Sequence, residues 1–240
     1  MQVPGVYSTW WRMTEACSHR RGDLTAVRLF YVPGANSLSV GGERYDGFWY
    51  GAFNAIVLAD DDRFSGSLVR HEMLHALLGA GHEGPYFANL CAGIVACVGD
   101  CAAEAASLPP PDDSAPELPA SELEIQLDLY NPSASFDDGW VAIVISARNP
   151  RSAAAWVPLI PVESGSPFAS TFGFTARCIE GCNGSFVTSS YYYTEPPRLG
   201  ISASAVLRDV FDLQFPPGVY AVRGTFNVDT TAAAPLTVRQ

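Results

Sequence analysis

The sequence predicts an α+β protein with two domains, a small domain of helices and strands followed by an antiparallel β-sandwich. Three observations predict this class. Apolar residues recur at helical spacing from Ser67 to Leu78. A proline-rich, acidic segment covers residues 107–120 and has the composition of a semi-rigid linker. Short strand-like runs separated by turns then continue to the end of the chain. We therefore expect domains over residues 1–106 and 121–240.

Size and charge limit the classes of partner. The chain has 240 residues, of which 48% are hydrophobic, so it is long enough to bury a sizeable core. Its 14 basic and 25 acidic residues give a formal net charge of −11. This acidity argues against nucleic acid and anionic membrane surfaces as partners. No apolar run approaches 18 residues, so the sequence predicts no membrane span.

The first domain contains a predicted strand, loop and helix in that order. Residues Phe53–Ala59 have the composition of a strand, and Asp60–Gly66 that of a loop. We expect the helix to begin with Ser65 or Ser67 as its N-cap. Gly79 stands where a left-handed residue ends many helices, so the chain is expected to turn back there.

The predicted helix carries an H-E-x-x-H motif, His71-Glu72-Met73-Leu74-His75. Residues i and i+4 lie about 40° apart around a helix axis, so both histidines face one way. Their imidazoles can then reach one Zn²⁺ at roughly 2.0–2.1 Å. Glu72 projects from the flank of this pair, where a carboxylate can accept a proton from an activated water. A helix ending at Gly79 would let His82 approach the same metal.

The stretch from His71 to His82 resembles the zincin metallopeptidases, and its third histidine is similar to the metzincin pattern H-E-x-x-H-x-x-G-x-x-H. The resemblance implies a zinc-dependent peptidase that hydrolyses a protein or peptide substrate. It implies that His71, His75 and His82 bind Zn²⁺. It also implies that the carboxylate of Glu72 is the general base.

The sequence departs from the metzincin pattern in two ways. The gap between the second and third histidines is one residue longer, since Ala76 to Gly81 intervene. No methionine follows His82, whereas metzincins have a methionine turn beneath the metal. Glu83 directly after the third histidine is nevertheless similar to the astacin-like form. We therefore expect a zincin-like domain rather than a standard metzincin.

Alternatives to His82 as third ligand stay open. Gluzincins take a glutamate from a later helix, and Glu104 lies in a plausible short helix over Asp100–Ala106. Glu83 and Asp100 are further candidates. The alternative without a metal is an amphipathic core helix that contains two histidines by coincidence.

Four further features of the first domain suggest roles for individual residues. Tyr86 is a candidate donor to the oxyanion of a hydrolytic transition state. The run Gly51–Val57 is the expected strand that borders the cleft and pairs with an extended substrate. The adjacent acids Asp60, Asp61 and Asp62 are interpreted as solvated rather than as a calcium site. His19, in a polar segment, is interpreted as a surface residue.

Six cysteines predict disulfides and an oxidising compartment. Because cysteines near each other in sequence close loops at the least cost, we expect Cys97 to pair with Cys101, Cys178 with Cys182 and Cys17 with Cys91, which is one of 15 possible connectivities. The alternative is a second zinc site of Cys91, Cys97 and Cys101. We predict an extracytoplasmic location (secreted, periplasmic or surface-anchored) from the cysteines, since no signal peptide is visible at the start of this chain.

The second domain is predicted from five strand-like segments. They alternate apolar and polar residues between turns: Leu123–Tyr130, Trp140–Ser146, Thr171–Arg177, Ala205–Leu213 and Gly218–Asn227. The segment Pro216–Phe226 resembles the final strand of immunoglobulin-like modules, including the BsuPI-type proteinase-inhibitor fold. Phe186 with Tyr191–Tyr193 suggests either an exposed aromatic strip or a strand that packs alternate rings into the core.

Two functions are compatible with the sequence. The favoured one is a secreted or surface-anchored zinc endopeptidase whose accessory sandwich attaches to substrate or to a cell surface, a role that only fold analogy suggests. The alternative is a non-catalytic extracellular binding or adhesion protein in which the β-sandwich is the functional part. The presence of Glu72 favours the enzyme, because a degenerate site has no need of a base.

Overall fold

The computed structural model describes residues 3–95, 112–134, 140–160, 169–182, 186–193, 198–227 and 229–239. The chain divides into two compact units, Met1–Leu108 and Pro109–Gln240. Helices and antiparallel sheets are both present, so the predicted α+β class is confirmed.

In its described residues, the first unit combines three helices with five short strands. The helices are α1 (Gly5–Ser18), α2 (Gly66–Leu78) and α3 (Ala92–Val95). The strands are β1 (Arg28–Val32), β2 (Leu38–Val40), β3 (Glu43–Tyr45), β4 (Gly47–Tyr50) and β5 (Ala55–Ala59). Short 3-10 turns lie at Leu24–Ala26 and Gly51–Phe53, and one turn of π-helix lies at Tyr86–Leu90.

The sheet of the first unit has the order β1-β5-β4, with β5 in the centre. Strand β1 runs parallel to β5, and β4 runs antiparallel to it. Residues 51–53 form a 3-10 turn, and Asn54 follows in the left-handed conformation with φ 45°. The expectation that Gly51–Val57 is the strand bordering the cleft is therefore wrong. Among the described residues, the edge strand on that side of β5 is β4.

Helix α1 was not predicted. It buries ten of its 14 residues, among them the polar Thr9, Thr14 and Glu15, so its buried face is wider than an amphipathic stripe. The Tyr7 hydroxyl donates to the Arg63 carbonyl at 2.7 Å, which links α1 to the loop before α2. The helix ends at the exposed His19, which has a left-handed conformation (φ 54°).

Helix α2 has the predicted boundaries. Ser65 is its N-cap residue in an extended conformation, although its side chain makes no capping hydrogen bond. Gly79 ends the helix with φ 63° and donates its N–H to the His75 carbonyl at 2.8 Å. A side chain at this position would be strained, because only glycine adopts this conformation without cost.

The described part of the second unit contains ten strands. They are β6 (Glu124–Tyr130), β7 (Trp140–Arg148), β8 (Ala155–Pro158), β9 (Ala169–Glu180), β10 (Phe186–Tyr193), β11 (Arg198–Ile201), β12 (Val206–Gln214), β13 (Gly218–Phe226), β14 (Asp229–Thr230) and β15 (Ala234–Val238). One sheet has the order β10-β9-β13-β14, with β15 also paired to β13. A second has the order β12-β7-β6, and β11 pairs with β8. The pairings between these strands are antiparallel.

A single apolar cluster joins β7, β9, β12 and β13. A Cβ placed on Gly224 of β13 would lie 3.0 Å from the Ile145 side chain of β7, so the two strands pack closely. The five predicted strands are present with shifted ends. The interpretation of Pro216–Phe226 as a final strand is wrong, because β14 and β15 follow it.

Two predicted disulfides are confirmed, Cys17–Cys91 and Cys178–Cys182. Both are consistent with an oxidising environment. The alternative zinc site that included Cys91 is wrong, because this sulfur is bonded to Cys17. Cys97 and Cys101 lie outside the described residues. No helix within the described ranges combines the length and apolarity needed to cross a membrane.

Candidate metal centre

Helix α2 brings two histidines and a glutamate into the interior of the first unit. His71, Glu72 and His75 expose only 4%, 5% and 9% of their surface. Transfer of a polar group from water to the protein interior costs several kcal/mol when the group has no hydrogen-bond partner. Polar groups buried to this extent therefore need partners or serve a function. His71 and His75 lie one turn apart on α2, and their Nε2 atoms are 3.2 Å apart.

The turn after α2 brings the third histidine to the same point. Gly79 reverses the chain, and the Ala80 carbonyl lies 2.9 Å from Nδ1 of His75. Nε2 of the exposed His82 then lies 3.0 Å from Nε2 of His71 and 3.0 Å from Nε2 of His75. Three imidazole nitrogens thus form a nearly equilateral triangle.

The triangle fits a tetrahedral metal ion. Zn–N bonds of 2.0–2.1 Å at tetrahedral angles separate the nitrogens by about 3.3–3.4 Å. The observed separations of 3.0–3.2 Å differ from this by a few tenths of an ångström. Among the described residues, His71, His75 and His82 are the group whose ligand atoms lie close enough together to hold a metal ion.

The main chain fixes two of the three rings. Nδ1 of His75 faces the Ala80 carbonyl, and His71 makes a hydrogen bond to the main chain of Val95. A ring that donates from one nitrogen leaves the lone pair of the other available, as metal-binding histidines commonly do. Both side chains are therefore held in the form that a metal ligand requires.

Burial keeps these imidazoles neutral. Burial lowers the pKa of His71 to about 3, with further contributions from the nearby His75 and His82. It lowers the pKa of His75 to about 4, and the hydrogen bond to Ala80 opposes part of that change. Because a metal competes with protons for the same lone pairs, neutral rings favour metal binding at pH 7.

Glu72 lies between α2 and the edge strand. Burial raises the pKa of its carboxyl group to about 8, while a hydrogen bond from the Trp49 main-chain N–H acts in the opposite direction. The main-chain carbonyl of Asp46 accepts a hydrogen bond from the Ala59 N–H of β5. Main-chain groups alternate in direction along an antiparallel strand, so those of Trp49, three residues later, point away from β5. The free edge of β4 therefore faces the carboxylate. The Trp49 indole also lies parallel to the His75 ring, with centroids 6.1 Å apart.

Sequence reasoning missed Phe87. Its ring is 3% exposed and contacts all three imidazoles, with centroid separations of 4.9 Å to His71, 4.4 Å to His75 and 4.7 Å to His82. The only signal in the sequence is an aromatic residue five positions after the third histidine. The sequence offers no methionine after His82, and the structure has this phenylalanine against the rings.

The remaining candidates have separate environments. The Tyr86 hydroxyl accepts hydrogen bonds from Arg20 at 3.1 Å and 2.8 Å. Asp60 accepts from the Gly34 N–H at 3.0 Å and pairs with Arg63 at 3.2 Å, which is a structural role. Glu83 is exposed and is not part of the histidine group.

Some candidates fall outside the described residues. Glu104 and Asp100 lie in the undescribed segment, so the alternatives that they represent stay untested. The backbone of Phe186–Tyr193 forms β10, and the side chains that would make an aromatic strip there lie outside the described part.

Comparisons with known proteins do not identify the chain. It matches no protein-family model and no curated protein. An alkylpurine DNA glycosylase of Pseudomonas fluorescens, bound to DNA containing an abasic site analogue, is 10% identical over 50% of this chain and 31% of its own (TM-score 0.35). A β-glucosidase of Listeria innocua in complex with glucose is 9% identical over 49% of this chain and 16% of its own (TM-score 0.32).

A sporulation control protein of Bacillus subtilis is 7% identical over 50% of each chain (TM-score 0.27). The chain thus spans half or less of the length of these structures. Likenesses with TM-scores this low support no conclusion about fold or activity.

Proposed function

We propose that the first unit is a zincin-like, zinc-dependent peptidase in which Glu72 is the general base. The observation that supports this most directly is the triangle of Nε2 atoms, 3.0–3.2 Å apart, on the helix that also contains the buried Glu72. Two separate sequence features produce this arrangement, the spacing of the H-E-x-x-H motif and the turn at Gly79.

The donor set favours zinc. Three imidazole ligands and no carboxylate suit a borderline ion better than Mg²⁺ or Ca²⁺, which take oxygen ligands. Three protein ligands also leave one position for a water or a substrate, as in catalytic zinc sites. His82 is exposed, so the site is accessible to solvent from its side.

Glu72 has the properties of a general base. His71, His75 and His82 would hold the zinc ion, which when bound would supply Lewis-acid activation of a water and of the substrate carbonyl. Glu72 accepts the proton and passes it to the leaving amine. A base works best when its pKa lies near the working pH, and burial already raises the pKa of Glu72 to about 8.

Edge strand β4 favours an extended peptide as substrate. The Trp49 N–H on its outward edge donates to Glu72, so a peptide paired with the rest of this edge would have a bond near the histidines. Tyr86, whose hydroxyl is held by Arg20, is the proposed donor to the oxyanion. The disulfides favour an extracytoplasmic location, and the sandwich is proposed as an accessory domain.

Metal analysis combined with cleavage of a labelled casein tests this function. We expect about one zinc per chain in the unmutated protein and in Glu72→Gln. Cleavage should be lost on chelation, return with zinc, and fall by at least about 10²-fold in Glu72→Gln. Glu83→Gln is the matched control and should retain activity, since Glu83 lies outside the histidine group.

Two outcomes would contradict the proposal. Folded protein without zinc would exclude the metal centre. Zinc in every variant without cleavage in any of them would favour the alternative, a non-catalytic binding protein.

A further inference from the structure

A metal site with three imidazoles needs something to fix the rings. The torsion that rotates a histidine ring about its Cβ–Cγ bond is broad, so a ring is held only by its contacts, of which the main-chain hydrogen bonds of His71 and His75 are one part. In this site three Nε2 atoms converge to within 3.2 Å of one another.

Phe87 contacts the three rings at once. Its plane is tilted by 37° to the His75 ring and by 55° to the His71 ring, and it meets the His82 ring at 88°. Edge and tilted arrangements at 4.4–4.9 Å are favourable for aromatic pairs. Rotation of any one imidazole would therefore disturb its packing against the phenylalanine.

Phe87 is itself held from both sides. It lies in the π-helical turn, where Leu90 donates to the Pro85 carbonyl at 2.9 Å. Before it, the hydroxyl of Tyr86 is held by Arg20. After it, the buried Cys91 is bonded to Cys17 of α1. Residues of α1 and its continuation thus fix the turn at two points, and the phenylalanine ring is fixed with it.

We propose that Phe87 is the positioning residue of the metal centre, whose flat ring holds the three imidazoles in the orientation that binds the ion. The inference rests on the proposed function, because it requires that these histidines bind a metal. It concerns affinity and coordination geometry, and Phe87 takes part in no proton transfer.

The test compares Phe87→Leu with a matched control in the full chain after removal of metal. Leucine keeps the site apolar but lacks the flat ring. Leu58→Ala is the control, because Leu58 is fully buried in β5 of the same unit and has no aromatic ring to pack on the imidazoles. Two quantities are measured for each variant, the Kd for Zn²⁺ by competition with a chelating indicator and the visible absorption spectrum of the Co²⁺-loaded protein.

We expect Phe87→Leu to raise the Kd by about 10–100-fold, the range for changes in the residues that surround metal ligands. The Co²⁺ spectrum should change as well, since it reports ligand geometry. Leu58→Ala should lower the thermal unfolding midpoint yet leave the Kd within about twofold and the spectrum unchanged. Phe87→Met, which retains an unbranched apolar chain, provides a second variant in case the leucine variant does not fold.

Three results would overturn the inference. An unchanged Kd and spectrum in both Phe87 variants would show that the ring does not position the ligands. Equal losses in the Phe87 variants and in Leu58→Ala would reduce the effect to general stability. Unmutated protein that binds no metal would remove the proposed function together with this inference, a result distinct from the first two.

Discussion

The two units of the chain bury polar side chains for opposite purposes. In the first, the buried His71, Glu72 and His75 are titratable, and burial shifts the pKa of each one away from its usual value. In the second, the fully buried Asn149 is neutral, and its amide bonds to the main chain. Its Nδ2 donates to the carbonyls of Ala153 at 2.9 Å and Ser202 at 3.1 Å.

Burial of a titratable group opposes folding, whereas burial of a fully hydrogen-bonded amide supports it. The buried titratable groups therefore lower the stability of the first unit, and other interactions in that unit must compensate. Its disulfide joins residues 74 apart in sequence, and the disulfide of the second unit joins residues 4 apart. The disulfide between the more distant cysteines lies in the unit that contains His71, Glu72 and His75.

The largest effect is expected from the loss of one ligand. His75→Ala removes one of three nitrogens, and we expect the Kd for Zn²⁺ to rise by roughly 10³-fold or more. Isothermal titration of the metal-free protein measures it. The matched control is His19→Ala, at an exposed histidine that ends α1, and it should bind zinc as the unmutated chain does. Equal binding by both variants would contradict the assignment of the ligands.

The disulfides should differ in their contribution to stability. In the chain-entropy model, a loop of about 75 residues stabilises by about 4 kcal/mol and one of about five residues by about 2 kcal/mol. Replacement of Cys17 and Cys91 by serine should therefore lower the free energy of unfolding by about twice as much as replacement of Cys178 and Cys182. Urea unfolding of the two double variants measures this. A larger loss of stability on replacement of Cys178 and Cys182 would contradict the expected order.

Asn149 should be a structural residue of the second unit. Asn149→Ala leaves the Ala153 and Ser202 carbonyls and the Arg151 N–H without their partner. We expect the free energy of unfolding to fall by about 2–4 kcal/mol, with no change in zinc affinity. Denaturant unfolding and zinc titration of the same sample separate the two quantities. A change in zinc affinity would contradict the division of roles between the units.

Glu72→Gln should stabilise the metal-free protein, and more so as the pH rises. The unfolded carboxyl group releases its proton near pH 4.5, whereas the folded one holds it to about 8. The folded state therefore binds more protons between these values, and its stability falls as the pH rises through them. Glutamine keeps an acceptor for the Trp49 N–H but does not titrate. We expect the variant to be about 2–4 kcal/mol more stable at pH 8 and nearly equal at pH 4.5.

Urea unfolding with a chelator present measures this difference. The lowered pKa values of His71 and His75 destabilise both proteins below about pH 6.5, so they cancel when the two curves are subtracted. A difference that does not depend on pH would show that Glu72 is not held protonated by burial.

Local patterns carried most of what could be predicted. The i, i+4 spacing of His71 and His75 and the left-handed residue Gly79 depend only on helix geometry, so both follow from the sequence. Helix α1 could not be recognised, because it buries residues around much of its circumference. The position of β4 beside Glu72 and that of the Phe87 ring beside the histidines depend on tertiary contacts, and the local patterns of the sequence do not encode such contacts.

A crystal structure of the zinc-loaded protein, with anomalous data at the zinc edge, tests whether these three histidines bind zinc. We predict one ion bound by Nε2 of His71, His75 and His82 at roughly 2.0–2.1 Å, with an open position on the side of Glu72. An ion bound instead through Glu83 or Glu104, or no ion at these histidines, would contradict the account.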